Sequence, residues 1–98
     1  MSNVRIPQLV NISEAIRIYY TKRELRNADI KTLFGNVGTA RIVKLKDLAR
    51  DAMREQDVPT LDNMAVNTNC AFDAWGIDIN ELEKNYSKLK RLGLQEGT

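Results

Sequence analysis

The sequence predicts a mainly α-helical, compact domain built around a helix-turn-helix. Apolar residues recur every three or four positions in several segments, each bounded by capping residues, Gly or Pro. Residues 29–50, "DIKTLFGNVGTARIVKLKDLAR", place a short apolar segment, a Gly-containing turn and a longer basic segment in succession. The charge is also lopsided. Residues 1–50 carry ten Lys/Arg against four Asp/Glu, a balance of +6, and residues 51–98 carry five against nine, a balance of −4. The formal net charge of +2 conceals this split, which suits a basic surface facing a polyanion or an acidic partner.

The first helix is expected over roughly 7–21. Pro7 fits a first helical turn, where its missing N–H costs nothing, and Leu9, Ile12, Ile16 and Tyr19 or Tyr20 repeat at helical spacing. A later start is open, because Asn11 and Glu14 have capping-box spacing. "TKRELR" reads as a connector with one short extended pairing at Leu25. Asn27 is the expected cap of a short helix over 28–34, with Asp29 in its first turn and Ile30, Leu33 and Phe34 on its apolar face. Gly35 ends it, and Asn36, Val37 and Gly38 complete the turn.

Thr39 is the expected cap of the next helix, which runs to about Glu55. At 100° per residue, Ile42, Leu45, Leu48, Ala49, Ala52 and Met53 share one face. Thr39, Ala40, Val43, Lys44, Asp47, Arg50 and Arg54 share the other, with Arg41 and Lys46 on the flanks. Val58 and Pro59 stop this helix. "VPTLDNMAVNT", residues 58–68, is a small hairpin turning at Asp62-Asn63 or an extended loop. A cap among Asn67, Thr68 and Asn69 starts the short helix "CAFDAW", which Gly76 ends. Asp78 or Asn80 then caps a last helix carrying Ile79, Leu82, Tyr86, Leu89 and Leu92 at helical spacing, and Gly93 ends it. "LQEGT" is a frayed tail. With 98 residues and no long linker or internal repeat, residues 1–98 form a single domain. Its parts are the helix-turn-helix at about 27–55, the hairpin at 58–68 and the C-terminal helices at 69–93.

Composition narrows the function classes. One cysteine, Cys70, cannot form an internal disulfide, and the absence of histidine leaves no Cys/His cluster for zinc and no imidazole for proton transfer. There is no phosphate-binding glycine loop and no nucleophile motif. The expectation is therefore a binding protein rather than an enzyme, with no metal, cofactor or small-molecule ligand. No apolar run has membrane-spanning length and no signal-peptide pattern opens the chain, so a cytoplasmic location away from membranes is expected. Trp75, Phe72 and Leu82 read as core rather than a ligand cage. Cys70 reads as a buried thiol, and Asp51, Glu55 and Asp57 as a solvated helix end rather than a metal site. Tyr19 and Tyr20 are adjacent on a helix, so one faces the core and the other lies near DNA or a subunit contact.

A short helix, a tight turn and a second helix with a polar outer face can dock on duplex DNA, because the major groove admits one α-helix. In this reading Thr39, Ala40, Val43 and Lys44 sit where base contacts fall. Thr39 offers a hydrogen-bonding group, Ala40 and Val43 can meet a thymine methyl, and Lys44 can meet guanine acceptors or a phosphate. Arg41, Lys46 and Arg50 complete the expected DNA-binding set. A hairpin at 58–68 would stand where a winged-helix protein carries its wing, although it contains no Lys or Arg. The last helix either packs on its own domain or forms a homodimer seam from Ile79, Leu82, Tyr86, Leu89 and Leu92, since helix-turn-helix proteins commonly read two half-sites.

Over about residues 12–92 the chain resembles small DNA-binding proteins of bacterial prophages and mobile elements. The likeness rests on the order of Leu33-Phe34-Gly35, Lys44-Leu45-Lys46, Asn67-Thr68 and Ala74-Trp75-Gly76. It departs from the usual helix-turn-helix at Lys31, near the place of a small residue. The resemblance implies a helix-turn-helix protein of a bacterial or phage-infected cytoplasm that regulates transcription or recombination. The alternative is a protein-interaction module that keeps the helix-turn-helix shape and binds a host or phage protein instead of DNA.

Overall fold

Each helix begins where a side chain or an extended backbone can serve its unpaired N–H groups. The computed structural model describes residues 6–93; residues 1–5 and the tail 94–98 lie outside them. α1 spans Ile12–Thr21 and is capped by Asn11, whose side-chain oxygen accepts the Glu14 N–H at 3.1 Å. The later of the two starts is therefore the one adopted, and Pro7 lies in irregular chain ahead of it. That lead-in is tied down by the Val10 N–H, which donates to the Leu33 carbonyl at 2.9 Å.

After β1 (Glu24–Leu25), α2 spans Asn27–Phe34. Arg26, not Asn27, holds the cap position, because the Asp29 carboxylate turns back to accept the Arg26 backbone N–H at 2.9 Å. Lys22 reaches the other Asp29 oxygen at 2.9 Å, so this buried acid is fully partnered. Gly35 ends α2 at φ 84, and a Cβ there would lie 3.2 Å from Val10 Cγ1, so both the backbone angle and the close packing favour glycine.

α3 spans Thr39–Glu55. Its cap is Gly38 rather than Thr39; the extended backbone sits at Gly38, which leaves Thr39 as an exposed first helical residue. The helix stops ahead of Pro59, at Asp57, which takes the left-handed conformation at φ 56. The Val58 N–H bonds to the Met53 carbonyl at 2.8 Å and the Asp57 N–H to that of Arg54 at 3.3 Å, the Schellman pattern.

Residues 58–68 are the main departure from expectation. Their two arms do not pair, and no hairpin forms. β2 (Val66–Asn67) instead pairs antiparallel with β1, with Leu25 opposite Val66 and Glu24 opposite Asn67. The seam continues through Thr68, whose N–H donates to the Arg23 carbonyl at 2.9 Å and whose hydroxyl donates to that of Lys22 at 2.7 Å. Burial explains the choice: Leu25 and Val66 are both fully buried, whereas a local hairpin would pair Val66 with an arm carrying Pro59, which has no N–H to donate.

α4 (Thr68–Ala74) is capped by Asn67, whose side chain accepts the Cys70 N–H at 2.9 Å. Trp75 falls at its end and Gly76 follows at φ 70. α5 (Ile79–Arg91) is capped by Asp78, which accepts the Asn80 N–H at 2.9 Å. The fold is mainly α with one small two-stranded sheet.

One hydrophobic cluster joins Ile18, Leu25, Leu33, Phe34, Leu45, Met53, Phe72, Trp75 and Leu82. Trp75 is a core residue, as expected. Its indole N–H donates to the Leu45 carbonyl at 2.8 Å and its ring meets Phe34 edge-on at 5.4 Å. The inner face of α3 buries Ile42, Leu45, Ala49 and Met53, while Leu48 and Ala52 lie partly buried at its edge. Cys70 is a buried thiol whose pKa is pushed up by burial and then by Asp73. Tyr19 packs on Phe72, with ring centroids 5.1 Å apart. Tyr20 is exposed and its hydroxyl donates to Glu83 of α5, an intramolecular contact. No helix among the described residues is long and apolar enough to cross a membrane.

Candidate nucleic-acid interface

α2, the turn at 35–38 and α3 follow one another in the order expected of a helix-turn-helix, while α2 packs chiefly on α1 and β1. The turn is tightened by the Val37 N–H, which donates to the Gly35 carbonyl at 2.8 Å, and by Val37 packing against the core. α3 is braced from behind by α4 and β2. Its N-terminal turns therefore present Thr39, Ala40, Arg41, Val43 and Lys44, all exposed, to solvent. Val43 keeps 51% of its surface accessible, although it is a large apolar side chain.

Ion pairing separates the cations into two groups. Arg17 is paired with Glu14, Lys22 with Asp29, Arg26 with Asp62 and Arg54 with Asp51. Among the described residues of the basic half, the side chains of Arg23, Lys31, Arg41 and Lys44 have no ion-pair or hydrogen-bond partner. Two of these, Arg41 and Lys44, lie on the exposed start of α3. Asp47 stands exposed further along the same face.

Two expected DNA contacts are placed differently. Lys46 is only 7% exposed, and its ammonium donates to the Met64 carbonyl at 2.8 Å. Burial pushes its pKa down, and the nearby Arg50 and Arg26 push the same way. Arg50 is half-buried and its guanidinium donates to the Asn63 carbonyl at 2.6 Å. Both α3 cations thus hold the loop that precedes β2. The reason lies in the missing hairpin: since the 58–65 segment runs back to β1, it crosses the flank of α3 and covers Lys46.

The same loop contains residues that the sequence reading did not single out as a site. Asp62 Oδ1 accepts the Met64 N–H at 2.8 Å, and the Ala65 N–H donates to the Asp62 carbonyl at 3.1 Å. That is an Asx turn inside a β-turn, consistent with the Asp-Asn turn signal. The Met64 N–H and the Arg26 guanidinium hold the Asp62 carboxyl below its ordinary pKa. Leu61 and Met64 flank this turn at 82% and 60% exposure.

The stripe of α5 divides in two. Leu82 is buried and Ile79 packs against the core, so both belong to the interior of this chain. Tyr86 and Leu89 are half-buried and Leu92 is exposed. Lys90 lies 5.4 Å from the Tyr86 ring centroid. Among the described residues no three His, Cys, Asp or Glu side chains gather to hold a metal ion.

Compared with protein families, curated proteins and solved structures, the chain matches none.

Proposed function

We propose that this protein binds double-stranded DNA sequence-specifically through α3, acts by binding alone, and serves a phage or mobile element as a regulator of transcription or recombination. The observation that carries this reading is the unpaired, exposed start of α3. Thr39, Ala40, Arg41, Val43 and Lys44 are presented on a helix whose back is fixed by the core. That is the set of groups needed to meet base edges and phosphates in a major groove. Lys46 is not part of the proposed contact set, and Arg50 contributes at its edge while it holds the loop. The genetic setting, a bacterial or phage-infected cytoplasm, rests on the motif resemblance. A homodimer would supply the second half-site through the outer end of α5, at Tyr86, Leu89 and Leu92.

Asp47 and the Asp51–Arg54 pair on the outer face of α3 favour a second reading, in which the same surface binds a protein. Titrating labelled duplex at several salt concentrations separates the two. DNA binding predicts an affinity that falls by about 0.9 log unit per phosphate contact for each tenfold rise in salt. Absence of binding at low salt would favour the protein partner.

A further inference from the structure

We propose that Trp75 is a positioning residue for DNA reading: its indole joins the end of α2 to the backbone of α3 and so fixes where α3 presents Thr39, Ala40, Arg41, Val43 and Lys44. This rests on the DNA-binding reading above and gives a task to the Ala74-Trp75-Gly76 segment, which that reading leaves unused.

The need for such a residue follows from how the two helices pack. α2 packs chiefly on α1 and β1, and α3 on α4 and β2, so direct contact between α2 and α3 does little to orient them. Lys31, near the place where a small residue would let the helices close on each other, is exposed instead. A third element has to set their relative placement. Trp75 supplies it from the end of α4, where it is only 4% exposed. Its ring meets the Phe34 ring of α2 edge-on, with centroids 5.4 Å apart, and its indole N–H donates to the Leu45 carbonyl of α3 at 2.8 Å. The Phe72 ring of α4, with its centroid 6.5 Å away, backs the indole.

The bond to Leu45 is directional where the neighbouring contacts are not. Ile42 and Leu45 are held by apolar burial, which has no preferred direction and tolerates small slips. The side-chain hydrogen bonds of Lys46 and Arg50 go to carbonyls of the 61–65 loop. The indole bond instead ties the α3 backbone to the aromatic cluster that holds Phe34. Leu45 follows Lys44 directly, so a shift of its carbonyl carries the reading turns with it. Groups that make specific contacts have to be held to within about 0.5 Å, so one lost anchor at this point is felt in base reading.

The test replaces Trp75 in the full chain by benzothienylalanine, which keeps the shape of the indole and has no N–H. The Leu45 carbonyl keeps its partner within the helix, so the loss of one hydrogen bond should lower the melting temperature by about 10 °C or less. The readout is the ratio of two affinities, one for a duplex that the unaltered protein recovers from a random pool and one for random duplex, taken where both proteins are folded. The expected result is a ratio lowered about tenfold, the scale of one lost base contact. Affinity for random duplex and the slope of affinity against salt should stay the same, because every phosphate-binding cation remains. A residue that served stability alone would lower the melt and leave the ratio as it was. If the benzothienylalanine protein keeps the ratio, Trp75 is core only and the proposal is wrong, while the DNA-binding reading stands. If that protein does not fold, Phe34→Leu decides in the same terms, since it loosens the contact with α2 and spares the N–H bond: a lowered ratio supports the proposal and an unchanged one overturns it. If the unaltered protein recovers no duplex at low salt, the DNA-binding reading itself fails and this proposal with it.

Discussion

α3 and α5 carry the same kind of sequence, an apolar stripe with cations on the other faces, yet the fold uses them differently. α3 is packed by α4 and β2 and buries Ile42, Leu45, Ala49 and Met53. α5 packs on α1 and buries only Leu82. Helical periodicity marks the face that can be buried; the path of the rest of the chain decides how much of it is covered. The cations differ in the same way. On α3, Lys46 and Arg50 are engaged by the 61–65 loop, whereas Lys88 and Arg91 of α5 are exposed.

Matched truncations should separate the two helices most clearly. Leu45→Ala opens a cavity at a fully buried site and should cost about 2–5 kcal/mol. Leu89→Ala removes a half-buried side chain and should cost under about 1 kcal/mol. Denaturant midpoints of the two variants check this, and equal losses would place α5 in a core larger than the one described.

A second comparison sharpens the role of the outer end of α5. Leu89→Lys should leave the monomer folded and weaken self-association about tenfold or more, since a charge would enter an apolar seam. Sedimentation at a series of concentrations gives the answer. A chain that stays monomeric at high micromolar concentration, with and without DNA, would remove the dimer proposal.

The C-terminal ends of α3 and α4 offer a smaller contrast. Both are closed by a left-handed residue, Gly76 in one case and Asp57 in the other. Asp57→Gly relieves the Cβ penalty of that conformation and should raise stability by about 0.5–1 kcal/mol. A thermal melt that falls instead would mean that the Asp57 side chain supports the turn.

The smallest effect concerns pH. The folded Asp62 carboxyl lies below its ordinary pKa of 3.8, chiefly through the Met64 N–H and also through Arg26. Its stabilising effect is present above that ordinary value and is lost as pH falls through the lower folded one. Amide shifts of Met64 and Ala65 should therefore move together below about pH 3.8 and not in Asp62→Asn. Independent titration of the two amides would indicate that the turn does not depend on this carboxylate.

Features set by neighbours in sequence were the legible ones. The span of α3 and the stops at Gly35, Gly76 and Gly93 each depend on a few adjacent residues and match, whereas the first helix starts at the alternative Asn11 cap and not at Pro7. The exposure of Thr39, Ala40, Val43 and Lys44 followed from helical angle alone, and Arg41, expected on a flank, is exposed beside them. The pairing of β1 with β2 was not legible, because "VPTLDNMAVNT" looks like a hairpin until Val66 finds Leu25 in another part of the chain. The misplacement of Lys46 follows from that. A helical wheel puts it on a flank, and only the returning loop turns that flank into an interior with a carbonyl for its ammonium.

The most direct measurement is the salt dependence of duplex binding by the original protein and by Arg41→Ala/Lys44→Ala. Neither side chain is buried or paired, so the variant should melt with the original. Its affinity should fall, and its salt slope should become shallower by roughly one for each phosphate contact removed. Unchanged affinity and slope in a protein that binds DNA would contradict the assignment of α3 as the recognition helix.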